Sequence, residues 1–266
     1  MKFVCPKCSG PLSEYEGTLK CPLSHSYDRS RDGYYNLLLN SGSGVHGDNK
    51  EMLLSRRNFL NTGAYLPLAN EISDICSRYS DKGSYILDAG CGEGYYTDMV
   101  EKSCGGATVY AFDISKDGAK LTAKKNKSLR VAVASSYDMP FSDEEFDIIF
   151  NVFSPMALKE THRVLKRGGK FIIALPGKRH LFGLKKEIYE NPYENEPEDT
   201  ALEGFRLISK KELSYEKEFF TKEEVSSLFM MTPYAYRTKK EEREKAFSLD
   251  YLKTEIEFII LVYEKI

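Results

Sequence analysis

From Tyr85 onward, short apolar runs alternate with amphipathic stretches. YILDAG, TVYAFDIS, RVAVASS, FDIIFNVFS and GKFIIALP have the length and the β-branched and aromatic content of buried strands. The segments between them, Tyr95 to Lys102, Ser115 to Lys125 and Pro155 to Leu165, space their apolar residues for helices. This alternation predicts a parallel, doubly wound α/β sheet with its ligand beyond the carboxyl ends of the strands. Upstream, Met52, Leu53, Phe59, Leu60, Leu66, Leu68, Ile72 and Ile75 predict two consecutive helices broken at Gly63 and Pro67. Downstream, EIYENPYENEPEDTALE is too polar for a core and reads as a loop. LSYEKEFF, a short helix from Thr221, a charged helix KKEEREK and a last strand EFIILVYEK complete the chain, the late strands closing the sheet.

The first residues follow another pattern. CPKCSGPLSEYEGTLKCPLSHSYD sets Cys5, Cys8, Cys21 and His25 at C-x2-C-x12-C-x3-H, with Gly and Pro at the turns. Thiolates and an imidazole prefer zinc, and four protein ligands leave no open coordination position, so the metal is structural. It supplies folding free energy that a fragment of roughly 40 residues cannot gain from its own core. SGSGVHGDNK then reads as a polar linker. The expected organisation is a zinc-binding domain at 1–36, a linker at 37–50 and a main domain at 51–266.

Lys and Arg number 38 against 40 Asp and Glu, so no global charge points to nucleic acid and any such surface must be local. Near the clip, Lys2, Lys7, Lys20, Arg29 and Arg31 offer cations for phosphates, and Tyr27, Tyr34 and Tyr35 offer rings for bases. Cys76, Cys91 and Cys104 are scattered and are expected to be reduced thiols. With no run of about 18 apolar residues and no signal-like start, a cytoplasmic protein without membrane contact is expected.

In LDAGCGEGYYT, Asp88 ends the first main-domain strand, and Gly90, Gly92 and Gly94 form the turn, where missing Cβ atoms let backbone approach a ligand. The spacing is G-x-G-x-G and not the dinucleotide G-x-G-x-x-G. A carboxylate in the turn suits a ligand with an ammonium group. Here the chain resembles class I methyltransferases, whose Rossmann-like sheet binds S-adenosyl-L-methionine. The resemblance implies that Asp113, ending TVYAFD, takes the ribose hydroxyls, and that Ser135, Asp138 and Met139 of SSYDMPF flank the adenine.

Together, the clip, DGYYNLL, RRNFLNTGAYLPL, VASSYDMPFSDEEFD, ALPGKRHLFGLKKEIYE and MTPYAYR resemble the bacterial large-subunit (23S) ribosomal RNA (guanine-N1)-methyltransferases. That resemblance implies a homodimer in which the zinc lobe recognises an RNA hairpin. NVFSP replaces the [ND]PP[YF] typical of exocyclic-amine methylation, so adenine N6 or cytosine N4 chemistry is not indicated and a ring nitrogen stays open as target. Candidate catalytic residues are Asn151, Ser154, His180 and Tyr234; Tyr236 is a second stacking candidate, and Lys178 and Arg179 are phosphate candidates. The rival expectation is a small-molecule, quinone-pathway methyltransferase, which shares the core motifs but usually lacks the lobe. His46 is expected to be an ordinary linker residue.

Overall fold

The computed structural model describes residues 2–39, 47–196 and 200–266. His46 and most of the SGSGVHGDNK segment lie outside them.

The chain opens with a three-stranded antiparallel sheet, β1 (Ser13–Tyr15), β2 (Thr18–Lys20) and β3 (Ser26–Asp28). Glu16 and Gly17 join its first two strands, both at positive φ (48° and 80°), the two-residue turn whose twist matches a hairpin. β4 (Tyr34–Asn36) then leaves the lobe and joins the main sheet. Helices α1 (Lys50–Asn61) and α2 (Leu66–Tyr79) follow, as the periodicity predicts. Asn49 caps α1 by accepting the Met52 N–H at 2.9 Å, and Pro67 sits in the first turn of α2, where its missing N–H costs nothing.

The main domain runs β5 (Tyr85–Ala89), α3 (Tyr95–Ser103), β6 (Thr108–Asp113), α4 (Lys116–Lys125), β7 (Arg130–Val133), β8 (Phe146–Val152), α5 (Leu158–Val164) and β9 (Leu165–Pro176). It ends with α6 (Phe182–Ile188), β10 (Phe205–Phe219), α7 (Lys222–Met230), α8 (Tyr234–Arg237), α9 (Lys240–Ser248) and β11 (Leu252–Lys265). The sheet order is β10-β11-β9-β8-β5-β6-β7-β4, parallel from β9 to β4 and antiparallel at β10 and β11. The order reverses between β5 and β8, and the carboxyl ends of β5, β6 and β8 converge there, which sets the position of the ligand cleft.

Two boundaries differ from the pattern. α5 begins at Leu158 rather than Pro155, because Ser154 and Pro155 belong to a turn braced by Asn151. β10 begins at Phe205, well before LSYEKEFF; it is an edge strand solvated along most of its length, so RLISKK carries no apolar alternation, yet it pairs with β11 from end to end.

The lobe shares its core with the sheet. Tyr34, Tyr35 and Asn36 pair in parallel with Val131, Ala132 and Val133, and Leu37 N donates to Val133 O at 3.0 Å. Phe3, fully buried, stacks on Phe141 at 5.2 Å and meets Tyr110 edge-on at 5.4 Å, while Val4 N donates to Pro140 O at 2.9 Å. Leu12, Leu19 and Leu37 belong to the same apolar cluster as Phe112, Phe146 and Ile149. Two lobe tyrosines proposed from sequence as base-stacking rings are consequently unavailable: Tyr34 and Tyr35 are buried in β4, and Lys2 is paired with Glu145 at 2.7 Å.

Removing the Phe3 ring leaves a cavity between lobe and sheet. Phe3→Ala should destabilise the whole chain by about 3 to 5 kcal/mol in one transition. Denaturant unfolding followed by far-ultraviolet circular dichroism checks this; a separate early transition of the lobe, with the main transition unmoved, would contradict it.

Candidate functional site

The glycine turn is shaped by what each missing Cβ would meet. At Gly90 (φ 95°) a Cβ would collide with Ser154 Oγ, and at Gly94 (φ 80°) it would fall 2.8 Å from Thr122 Oγ1 and 2.9 Å from its Cα. These two positions let β8 and α4 pack against the loop. At Gly92 (φ 52°), itself buried, a Cβ would meet only the Arg56 guanidinium, at 3.4 Å.

Asp88 is buried at the end of β5 and accepts a 2.5 Å hydrogen bond from Thr97 Oγ1. Burial pushes its carboxyl up to about 7 against the Thr97 hydrogen bond, and the neighbouring Asp113 adds to the rise. Asp113 Oδ2 accepts the Gly92 N–H at 2.8 Å and Oδ1 the Ser115 N–H at 2.7 Å. Each oxygen keeps a further lone pair, enough for two adjacent hydroxyls. Burial raises this carboxyl as well, opposed by the two amides.

The backbone after Asp113 leads to the next segment: Ala134 N donates to Asp113 O at 3.1 Å, bringing Ser135 beside the acid. Met139 is buried, its N–H held by Glu160 at 2.8 Å, and Asp138 is exposed. From the other side, Ser115 Oγ donates to Asp48 O at 2.7 Å and Asp48 pairs with Arg56, so the start of α1 lies across the end of β6. Tyr96 Oη, at the start of α3, is buried without a hydrogen-bond partner among the described residues. An acid with spare acceptor sites and an orphaned hydroxyl fit a polar ligand carrying a diol, as S-adenosyl-L-methionine does.

At the end of β8, Asn151 Nδ2 and Ser154 Oγ both donate to Ala89 O, at 3.1 and 3.2 Å, and Asn151 Oδ1 accepts the Ser154 N–H at 3.3 Å. This bracing holds Phe153 at φ 57° with its ring 43% exposed. A bulky residue in left-handed backbone is strained, and here the strain presents an aromatic face at the mouth. Its neighbours are Tyr65 at 6.2 Å, His180 at 6.4 Å and Phe258 at 5.7 Å. Phe153 and Tyr65 escaped sequence reasoning, although Phe153 stands in the NVFSP segment where [ND]PP[YF] enzymes also carry an aromatic.

His180 lies behind that wall, buried. Its Nδ1 accepts the Glu257 N–H at 3.2 Å, which makes Nε2 the N–H that donates to Tyr65 Oη at 2.9 Å. Burial takes its pKa down to about 3, so the ring is neutral, and it has no lone pair left to act as a base. Lys178 and Arg179 are paired with Glu194, both at 3.1 Å, and Arg179 also with Glu255 at 2.6 Å, so these phosphate candidates are already neutralised. Tyr234 is half-buried, its ring 5.3 Å from the buried Lys185 ammonium, which donates to Tyr193 O and Asn195 Oδ1. GLKKEIYE and TPYAYR thus meet in space; Tyr236 is exposed.

In the lobe, the ligand atoms of Cys5, Cys8, Cys21 and His25 all lie within 4.8 Å of one another. Cys8 Sγ and Cys21 Sγ are 3.7 Å apart, and His25 Nδ1 is 3.4 Å from both Cys5 Sγ and Cys21 Sγ. Tetrahedral zinc with Zn–S of about 2.3 Å needs S–S edges of about 3.8 Å, so the donor set fits the ion. Each half is a tight turn: Ser9 N donates to Cys5 O and Ser24 N to Cys21 O, with Ser9 and Ser24 at positive φ. Burial opposes ionisation of Cys5, but Tyr27 Oη and backbone amides donating to its sulfur bring it down to about 6.

The purified chain should therefore carry one equivalent of zinc, and Cys8→Ser should lose it while Cys91→Ser, outside the cluster, keeps it. Metal analysis by mass spectrometry decides; a wild-type chain without zinc after metal-replete purification would contradict the assignment.

Comparison with known proteins agrees with this geometry. Residues 3–39 match the zinc-ribbon family described as "RlmA, N-terminal", and residues 87–173 match the family described as "Methyltransferase domain". The "Putative 23S rRNA (guanine-N(1)-)-methyltransferase YxjB" of Bacillus subtilis (strain 168) is 30% identical over 255 residues, 90% of this chain and 88% of that protein. The 23S rRNA (guanine(748)-N(1))-methyltransferase of Streptomyces fradiae is 30% identical over 66% of this chain and 64% of its own length. The demethylmenaquinone methyltransferase of Staphylococcus carnosus (strain TM300) is 31% identical, but over 41% of this chain and 58% of its own. With a zinc ribbon built onto a class I methyltransferase sheet and a relative matched nearly end to end, the chain belongs to the 23S rRNA (guanine-N1)-methyltransferase family.

Proposed function

We propose that this chain transfers a methyl group from S-adenosyl-L-methionine to N1 of a guanine in a hairpin of large-subunit ribosomal RNA. The observation that carries the reading is the RlmA-type zinc ribbon on a methyltransferase core, joined through one shared sheet. A small-molecule methyltransferase accounts for the core and leaves the lobe without a task. In our reading residues 1–36 recognise RNA and residues 51–266 carry the chemistry. We further assign the enzyme to the cytoplasm as a homodimer, as the family resemblance implies; no helix among the described residues is long and apolar enough to cross a membrane.

The cofactor supplies an electrophilic methyl group when bound. Asp113 takes the ribose hydroxyls with its spare lone pairs, Ser135, Asp138 and Met139 border the adenine, and the backbone at Gly90, Gly92 and Gly94 lines the amino-acid end. Asp88 provides the negative charge facing the ammonium, and Tyr96 Oη finds its missing partner in the same ligand. Phe153, pinned by Asn151 and Ser154, stacks on the extruded guanine. As the methyl arrives, guanine N1 releases its proton to water. With His180 committed on both nitrogens, the chain's own contribution is to hold the ring in line by stacking, and His180 serves that by fixing Tyr65. Tyr234 and Lys185 secure the 189–196 segment beside the same mouth.

Two measurements test this. Incubating large-subunit RNA with the protein and cofactor, then extending a primer across it, should produce a new stop at a hairpin guanine, because N1 methylation blocks base pairing. No stop from protein that binds the cofactor would reject the reaction.

The second is the pH dependence of cofactor binding. Folded Asp88 titrates at about 7 against 3.8 for a free carboxyl, so the folded state holds the proton more tightly and the ligand-free protein loses stability as pH rises through that interval. An ammonium ligand favours the ionised carboxylate. Binding of S-adenosylhomocysteine should therefore tighten by up to about tenfold per pH unit below 7 and level off above it. Asp88→Asn should flatten the profile; a flat profile in the wild type would remove Asp88 from this role.

A further inference from the structure

We propose that the seam between the zinc lobe and the main sheet seats one phosphodiester of the RNA backbone, held between Arg29 of the lobe and Arg130 of β7. The inference rests on the RNA-methyltransferase reading and adds a binding site that straddles both parts of the molecule.

A cavity of about 110 Å³ opens at this seam, lined by Glu14, Arg29, Gly33, Tyr35 and Arg130 among others. Its two guanidiniums come from separate elements: Arg29 bridges to Tyr35 just ahead of β4, and Arg130 opens β7, the strand with which β4 pairs. Neither has a carboxylate partner among the described residues, whereas the nearby Lys120 and Lys124 both reach Asp32. Arg29 makes a single long bond, Nε to Gly33 O at 3.4 Å. The one carboxylate in the cavity, Glu14, accepts the Tyr35 hydroxyl at 2.7 Å. Both arginines lie close enough to that hydroxyl to offset part of the rise that burial and Glu14 impose on it.

The charge count selects the ligand. Two guanidiniums against one carboxylate leave a single positive charge, which one phosphodiester neutralises. Arginine forks offer paired N–H donors to phosphate oxygens, and a polar rim with an open side admits a strand passing over it. β7 runs from Arg130 to Val133 toward the adenine segment, about 10 Å at the usual strand rise. The seat lies at the amino end of β7, one strand length from the segment assigned to the adenine. Phosphate contacts set register without reading sequence.

The test is RNA affinity as a function of salt, measured by fluorescence anisotropy on full-length, zinc-loaded protein. The probes are the target hairpin and an unrelated hairpin of equal length. The Arg29→Gln, Arg130→Gln double variant should bind both RNAs several-fold more weakly, with the slope of log K against log salt shallower by about 1. Arg130→Lys should keep the slope and lose part of the affinity, because it keeps the charge and loses the fork. An unchanged slope in the double variant, with wild-type zinc content, would overturn the seat even if the affinity changed. Wild-type protein that methylates RNA while the slope stays unchanged defeats this inference alone; wild-type protein that methylates no RNA defeats the reading beneath it.

Discussion

The structure depends on one short parallel pairing, β4 against β7. Three residues after a zinc-stapled sheet enter the main sheet as its last strand, so the metal-dependent lobe and the cofactor-binding core share a hydrogen-bond ladder and an apolar face. A lobe of this size could not bury enough surface to hold itself together, and zinc provides that stability. Phe3, Tyr35 and Leu37 then orient the lobe on the sheet. A lobe built into the sheet in this way is held at a fixed separation from the glycine loop.

The cofactor end shows the same economy of parts. Gly90 and Gly94 exist so that Ser154 and Thr122 can pack on the loop. Asp113 both organises the loop through the Gly92 and Ser115 amides and retains acceptor capacity for a diol. Asn151 and Ser154 tie the β8 turn to Ala89 and thereby hold Phe153 in a backbone conformation it would not choose alone. Of the residues first suspected of catalysis, His180 has both nitrogens committed and Asn151 and Ser154 are spent on this bracing.

Much of this was legible in the sequence because it follows from spacing. The four zinc ligands, the glycine turn with Asp88 and Asp113, and the strand–helix alternation are local patterns with local causes. What was not legible depends on long-range packing. β4 is three residues long with no periodicity to mark it, and its tyrosines look like surface rings until the sheet buries them. β10 hid because an edge strand wetted on both faces loses its alternation. His180 looked available as a base, and only the fold shows its two nitrogens held by Glu257 and Tyr65. Lys178 and Arg179 read as free cations because Glu194 and Glu255 are remote from them in sequence. Phe153 carries strain that no composition signals.

The claim that lobe and core form one cooperative body is tested most directly by amide hydrogen exchange with and without zinc. Chelation should strip protection from β4 and from its partner β7, including Val131 and Val133, together with the lobe strands. Loss of protection confined to residues before β4, with β7 unchanged, would contradict the account and make the lobe an independent attachment.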